Sequence, residues 1–94
     1  MIYELVSSIP EGKVTTYAEL AKAAGKPKAS RLIGQILNRN PNPIAVPCHR
    51  VVKSNGDLGG YAYGSNAKRK LLEKEGVKIS KSRIVDFENA KYRF

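Results

Sequence analysis

This chain predicts a mainly α-helical fold with a small β-hairpin, of the winged helix-turn-helix kind. Three observations carry that expectation. Apolar residues recur at helical spacing in three successive N-terminal segments, two of them joined by a short glycine-containing turn. Asn55-Gly56 follows the apolar pair Val51-Val52 and signals a hairpin turn where such a fold carries its wing. Seventeen Lys and Arg against eight Asp and Glu give a net charge of +9 over 94 residues, which suits a domain that meets a polyanion.

The first helix is read from Ile2, Leu5, Val6 and Ile9, and Pro10-Glu11-Gly12 ends it. Thr16 and Glu19 have capping-box spacing and open a second helix, with Tyr17, Leu20, Ala21 and Ala24 inward and Gly25 as its stop. The third helix follows Lys26-Pro27 and sets Ala29, Leu32, Ile33, Ile36 and Leu37 on one side, in the place of a recognition helix. Three prolines between Asn38 and Pro47 predict an ordered loop, with Ile44-Ala45-Val46 packing beneath the residues that follow. After the wing, Gly59-Gly60 and Gly64 bracket Tyr61 and Tyr63 in a tight loop. Asn66 is expected to cap a last helix with Ala67, Leu71 and Leu72 inward and Gly76 at its end. Ile79, Ile84, Val85 and Phe87 in the tail predict that it docks on the body. The whole chain, 1–94, reads as one domain.

Composition excludes several classes. No apolar run approaches a bilayer span, and no charged-then-apolar start marks a signal peptide. One cysteine cannot form an internal disulfide, so a reducing, cytoplasmic and nucleoid-associated setting is expected. One Cys and one His fall short of a structural zinc set, so no metal is expected.

Chemistry concentrates in Pro47-Cys48-His49-Arg50, where the only cysteine adjoins the only histidine. Neighbouring imidazole and cations favour the thiolate, which is the nucleophilic form. Between Glu19 and Asp57 there is no acidic residue, but Lys22, Lys26, Lys28, Arg31, Arg39, Arg50 and Lys53 are all present. A thiol that reacts with something carried on nucleic acid fits both facts.

From Val14 to Gly76 the sequence resembles the DNA-binding, catalytic domain of O6-alkylguanine-DNA alkyltransferases. The residues that carry the likeness are Ile9 to Tyr17, Ala29-Ser30-Arg31, Asn40 to Ile44, Pro47 to Val52, Gly59-Gly60-Tyr61 and Lys74-Glu75-Gly76. The resemblance implies base flipping and a single, irreversible transfer of the alkyl group from guanine O6 to Cys48. It assigns His49 as the base acting on Cys48 through a water, Glu75 as the acid orienting His49, and Tyr17 as the donor to the leaving guanine. Arg31 would fill the space left by the flipped base, and Ala29 and Ser30 would let the helix approach the minor groove closely. Asn40 would brace the turn before the cysteine loop, and Arg50 is expected among the DNA-binding residues. Tyr61, Ala62 and Val51 would line the substrate pocket, with Ala62 standing where many members have Ser. The implied partner is double-stranded DNA containing alkylated guanine, bound by a monomer without a cofactor. Two-domain members carry an N-terminal domain ahead of this region, which is expected to be absent here.

Alternatives stay open at this point. Alkyltransferase-like proteins share this length but have Trp or Ala in place of the cysteine, and they bind alkylated guanine without repairing it. An ordinary winged helix-turn-helix regulator would read an undamaged site, yet only Arg31, Gln35 and Asn38 are offered to base edges. Individually, Arg31 is also a plausible phosphate contact, Tyr17 a core residue and Glu75 a solvated helix residue.

Overall fold

The computed structural model describes residues 2–39, 46–59, 61 and 64–94. The expectations for Asn40, Ile44, Ala45, Gly60 and Ala62 lie outside the described residues. Helix α1, Ile2–Ser7, buries Val6 and hands over to a turn in which Ile9 is also buried. Gly12 then takes φ +84, and the chain enters strand β1, Thr15–Thr16. Helix α2, Tyr17–Ala23, begins as its sequence dictates, because the Thr16 hydroxyl accepts from the Glu19 N–H at 3.0 Å. It ends in a Schellman motif: the Lys26 N–H reaches Ala21 C=O and the Gly25 N–H reaches Lys22 C=O, with Gly25 at φ +78.

Helix α3, Ser30–Asn38, turns Ile33 and Leu37 into the core and leaves Leu32 half exposed. Together α1, α2 and α3 enclose one apolar cluster that includes Val6, Leu20, Ile33, Leu37 and Cys48. Val46 and Tyr61 pack against its edge. The helical pair α2–α3 therefore forms as the spacing predicts.

The wing does not take its expected form. Strand β2, Val51–Val52, pairs in parallel with β1, Thr15 opposite Val51 and Thr16 opposite Val52. The Asn55-Gly56 turn does close, with the Lys53 N–H on Asp57 C=O at 2.9 Å, but Asp57 then bridges to Arg83 rather than starting a return strand. Val51 and Val52 are fully buried, so the ladder they join is the one inside the core. The antiparallel hairpin lies in the tail instead, between β3, Ile79–Ser80, and β4, Arg83–Ile84.

Helix α4, Ser65–Lys74, starts earlier than Asn66 as a cap would require. Gly64, at φ +93, occupies the capping position, and Asn66 sits exposed in the first turn. The helix closes in a second Schellman motif around Gly76, which makes Glu75 its C-cap. The tail docks as expected. Ile84 is buried, Phe87 of the short helix α5, Phe87–Ala90, packs on the same cluster, and Tyr92 donates its N–H to Val14 C=O at 2.6 Å. That bond and the parallel Val14–Lys91 bridge extend the β1–β2 ladder by one more segment. Among the described residues, no helix is long and apolar enough to cross a membrane.

Candidate active site

Pro47 fixes the approach to the cysteine. Its φ of −78° and ψ of 63°, with the Cys48 N–H on Val46 C=O at 2.8 Å, form an inverse γ-turn. Cys48–Arg50 then make one turn of 3-10 helix that runs directly into β2. Since β2 is laddered to β1, and β1 runs into α2, the cysteine turn and Tyr17 are brought to the same place.

Cys48 is 5 % exposed and His49 only 1 %. His49 Nε2 lies 2.9 Å from Glu75 Oε2. Burial pushes the imidazole below its ordinary pKa, ahead of the opposing bond to Glu75. A neutral ring that donates from Nε2 to the carboxylate keeps Nδ1 as an acceptor. Nδ1 is buried and has no hydrogen-bond partner among the described residues. This is the form a general base needs.

Glu75 is held from a second side by Arg50. Nε donates to Oε1 at 2.8 Å, Nη2 donates to Oε2 at 2.6 Å, and Nη1 donates to Ile9 C=O at 2.7 Å. Burial works against the carboxylate, but the bonds from Arg50 and His49 outweigh it and hold its pKa below the usual range. Arg50 was expected among the DNA-binding residues. Each of its guanidinium nitrogens makes one bond, to Glu75 or to Ile9 C=O, so it supports Glu75.

A residue that sequence reasoning missed completes the site. Lys68, on α4, is fully buried, and its ammonium donates to Val51 C=O at 2.6 Å. It also lies 5.9 Å from the centre of the Tyr17 ring. Burial lowers its pKa to about 8, against the opposing influence of the Cys48 charge. Tyr17 is shifted the other way. Burial first, and then the charge of Cys48, push the phenol above its ordinary value, so it stays protonated as a donor. The available signal for Lys68 was its position one residue after Ala67 and four before Leu72, inside an otherwise apolar stripe.

In front of Tyr17 opens a cleft of about 840 Å³, walled by Ser30, Arg31 and Gly34 of α3 and by Lys53 to Asn55 of the turn after β2. Gly34 of α3 lies beside the tyrosine ring, where a Cβ would make ordinary contact with Tyr17 Cε1 at 3.9 Å. Arg31, Ser30 and Lys53 are exposed, and Ala29 is the half-buried N-cap residue of α3. Val51 is buried beneath the site, while Tyr61 is half-buried at the edge of the Cys48 cluster. The structure thus joins Cys48, His49, Glu75 and Tyr17 with Arg50 and Lys68, and Tyr17 in turn shares its cleft with the exposed Ser30 and Arg31 of α3.

Comparison with known proteins places the chain in a family. Residues 1–77 match the family model for the 6-O-methylguanine DNA methyltransferase, DNA binding domain. A methylated-DNA–protein-cysteine methyltransferase of Methanosarcina acetivorans is 51 % identical over 75 residues, covering 80 % of this chain and 48 % of the relative. A bifunctional methyltransferase/endonuclease of Picrophilus torridus is 43 % identical over 93 residues, covering 99 % of this chain but 30 % of the relative. The chain thus spans about half or less of the length of these curated relatives. Among solved structures, S. pombe Atl1 in complex with damaged DNA containing O6-carboxymethylguanine superposes with a TM-score of 0.89 at 30 % identity, over 99 % of this chain and 92 % of that one. Mycobacterium tuberculosis OGT in complex with DNA gives 0.78 at 43 % identity, over 80 % and 46 %. By the match of residues 1–77 and the identities to these relatives, this chain belongs to the 6-O-methylguanine DNA methyltransferase DNA-binding-domain family.

Proposed function

We propose that the protein binds DNA containing O6-alkylguanine and takes the alkyl group onto Cys48 in a single, irreversible displacement. The observation that carries this reading is the set behind the cysteine: a neutral His49 held by Glu75, with Nδ1 unpartnered. In the reaction, His49 Nδ1 takes the Cys48 proton through a water, and the sulfur attacks the alkyl carbon. The S–C bond forms as the C–O6 bond breaks, and the electron pair stays on the guanine, to which Tyr17 supplies a proton. Lys68 keeps a positive charge near the sulfur while the thiolate exists. The thioether has no route back to the thiol, so each molecule acts once. No cofactor is needed, because the substrate itself carries the transferred group.

In this reading the DNA is double-stranded and contacts the face of α3. Arg31 occupies the place of the flipped nucleotide, while Ala29 and Ser30 permit close approach. Tyr61, Ala62 and the backbone near Val51 line the pocket, and Asn40 braces the loop before the cysteine. In this reading residues 1–94 act as one domain and bind DNA as a monomer.

Cys48→Ala is the direct test. Transfer to protein from a duplex with one O6-methylguanine is expected to vanish while selective binding of that duplex remains. Loss of both together contradicts the reading. A second reading, lesion sensing without transfer, is supported by the fit of Atl1 along 99 % of this chain. Selective binding with the alkyl group still on the base afterwards would establish it.

A further inference from the structure

Lys53 occupies a position that the reaction as described does not use. Its backbone is fixed in the turn after β2, since its N–H reaches Asp57 C=O at 2.9 Å and its C=O accepts from Gly56 N–H at 3.0 Å. Its side chain runs along Gly59. A Cβ built on Gly59 would lie 3.4 Å from Lys53 Cγ, 3.8 Å from Lys53 Cε and 3.8 Å from Tyr17 Cε2. The lysine stem, the Gly59 backbone and the edge of the tyrosine ring therefore meet at one point of the cleft. Gly59 has φ +74, a conformation that L side chains rarely adopt, so the lysine has no competitor for this space.

The charge at the end of that stem is available. Lys53 is exposed and makes no ion pair among the described residues, and the nearby Asp57 is engaged with Arg83 at 3.5 Å and Asn55 at 3.2 Å. Gly59 also opens the segment leading to Tyr61, which in the reading above lines the pocket for the bound base. Lys53 and Tyr17 line the same cleft, so in that reading the cation can meet a substituent of the base held there. A methyl group offers it nothing, whereas a carboxylate offers a charge-assisted hydrogen bond.

Resting on the reading of this cleft as an O6-alkylguanine site, we propose that Lys53 is a specificity-determining residue favouring O6-alkyl groups that carry a carboxylate over neutral ones. Its exposure keeps the effect modest, about fivefold in relative affinity. Equilibrium binding in a Cys48→Ala background measures it, using three duplexes that differ only in one base: guanine, O6-methylguanine and O6-carboxymethylguanine. The parent is expected to prefer the carboxymethyl over the methyl duplex, K53M to lose that preference about fivefold, and K53R to retain it. If K53M weakens both lesion duplexes equally, Lys53 holds a backbone phosphate and the proposal is overturned. An unchanged ratio overturns it as well. Equal binding of all three duplexes by the parent contradicts the O6-alkylguanine reading itself, and the proposal with it.

Discussion

The rear and the front of the site are built on opposite electrostatic plans. At the rear, Glu75 and Arg50 are each 12 % exposed, His49 is buried, and every charge is matched by a partner within 3 Å. At the front, Arg31 and Lys53 stand exposed on either wall of an open cleft, with no acidic partner among the described residues. The rear holds one imidazole in one protonation state. The front presents positive charge that a polyanion can neutralise with release of its counterions. The two plans divide the seven cations of the acid-free stretch: Arg50 alone turns inward, and the other six are exposed.

Breaking the rear should have the largest effect. Glu75→Ala leaves Arg50 charged without its partner and His49 without its orienting acceptor. A destabilisation of about 3 kcal/mol is expected by chemical denaturation, with transfer falling at least about a hundredfold. An Arg50→Ala variant should resemble it in stability, whereas a role in DNA contact alone would leave stability unchanged.

Lys68 offers a test by pH. Its folded pKa, about 8, lies below that of an ordinary lysine, so the unfolded chain binds more protons above pH 8. The contribution to stability is therefore present at high pH and lost as pH falls through the folded value. Between about pH 8 and 10 the unfolding free energy should rise on the order of 2 kcal/mol from this group. Lys68→Met should flatten that rise; an unchanged slope would mean that another group titrates.

Much of the rear was legible in the sequence, and the reason is local. Thr16 and Glu19 announce the start of α2, and Gly25 and Gly76 announce two helix ends by the positive φ that each adopts. The second of these places Glu75 at a C-cap, and the adjacency of Cys48 and His49 needs no tertiary information. What was not legible depends on distant partners. The parallel pairing of Thr15–Thr16 with Val51–Val52 joins two-residue strands that carry no turn signal between them. The direction of Arg50 is set by a carboxylate 25 residues away, and the burial of Lys68 by a carbonyl 17 residues away. The Asn55-Gly56 signal was real as a turn, but the strand that uses it comes from the tail.

Smaller perturbations sharpen the comparison. Thr16→Ala removes the cap of α2 beside the cleft and should cost about 1 kcal/mol of stability, read from thermal unfolding. Arg31→Ala should change stability by no more than about 0.5 kcal/mol. It should nevertheless lower the slope of log affinity against log salt by about one if the side chain neutralises a phosphate. An unchanged slope with weaker lesion binding would instead favour insertion into the base stack.

The central claim is that the rear exists to make Cys48 react. Intact mass of the protein after mixing with a duplex carrying one O6-methylguanine tests it most directly, with Cys48→Ala alongside. The account predicts a gain of one methylene on Cys48, matched by loss of the methyl group from the DNA and absent from the variant. Selective binding of that duplex with no change in mass would contradict it, and would make the protein a lesion sensor that retains an unreacting cysteine.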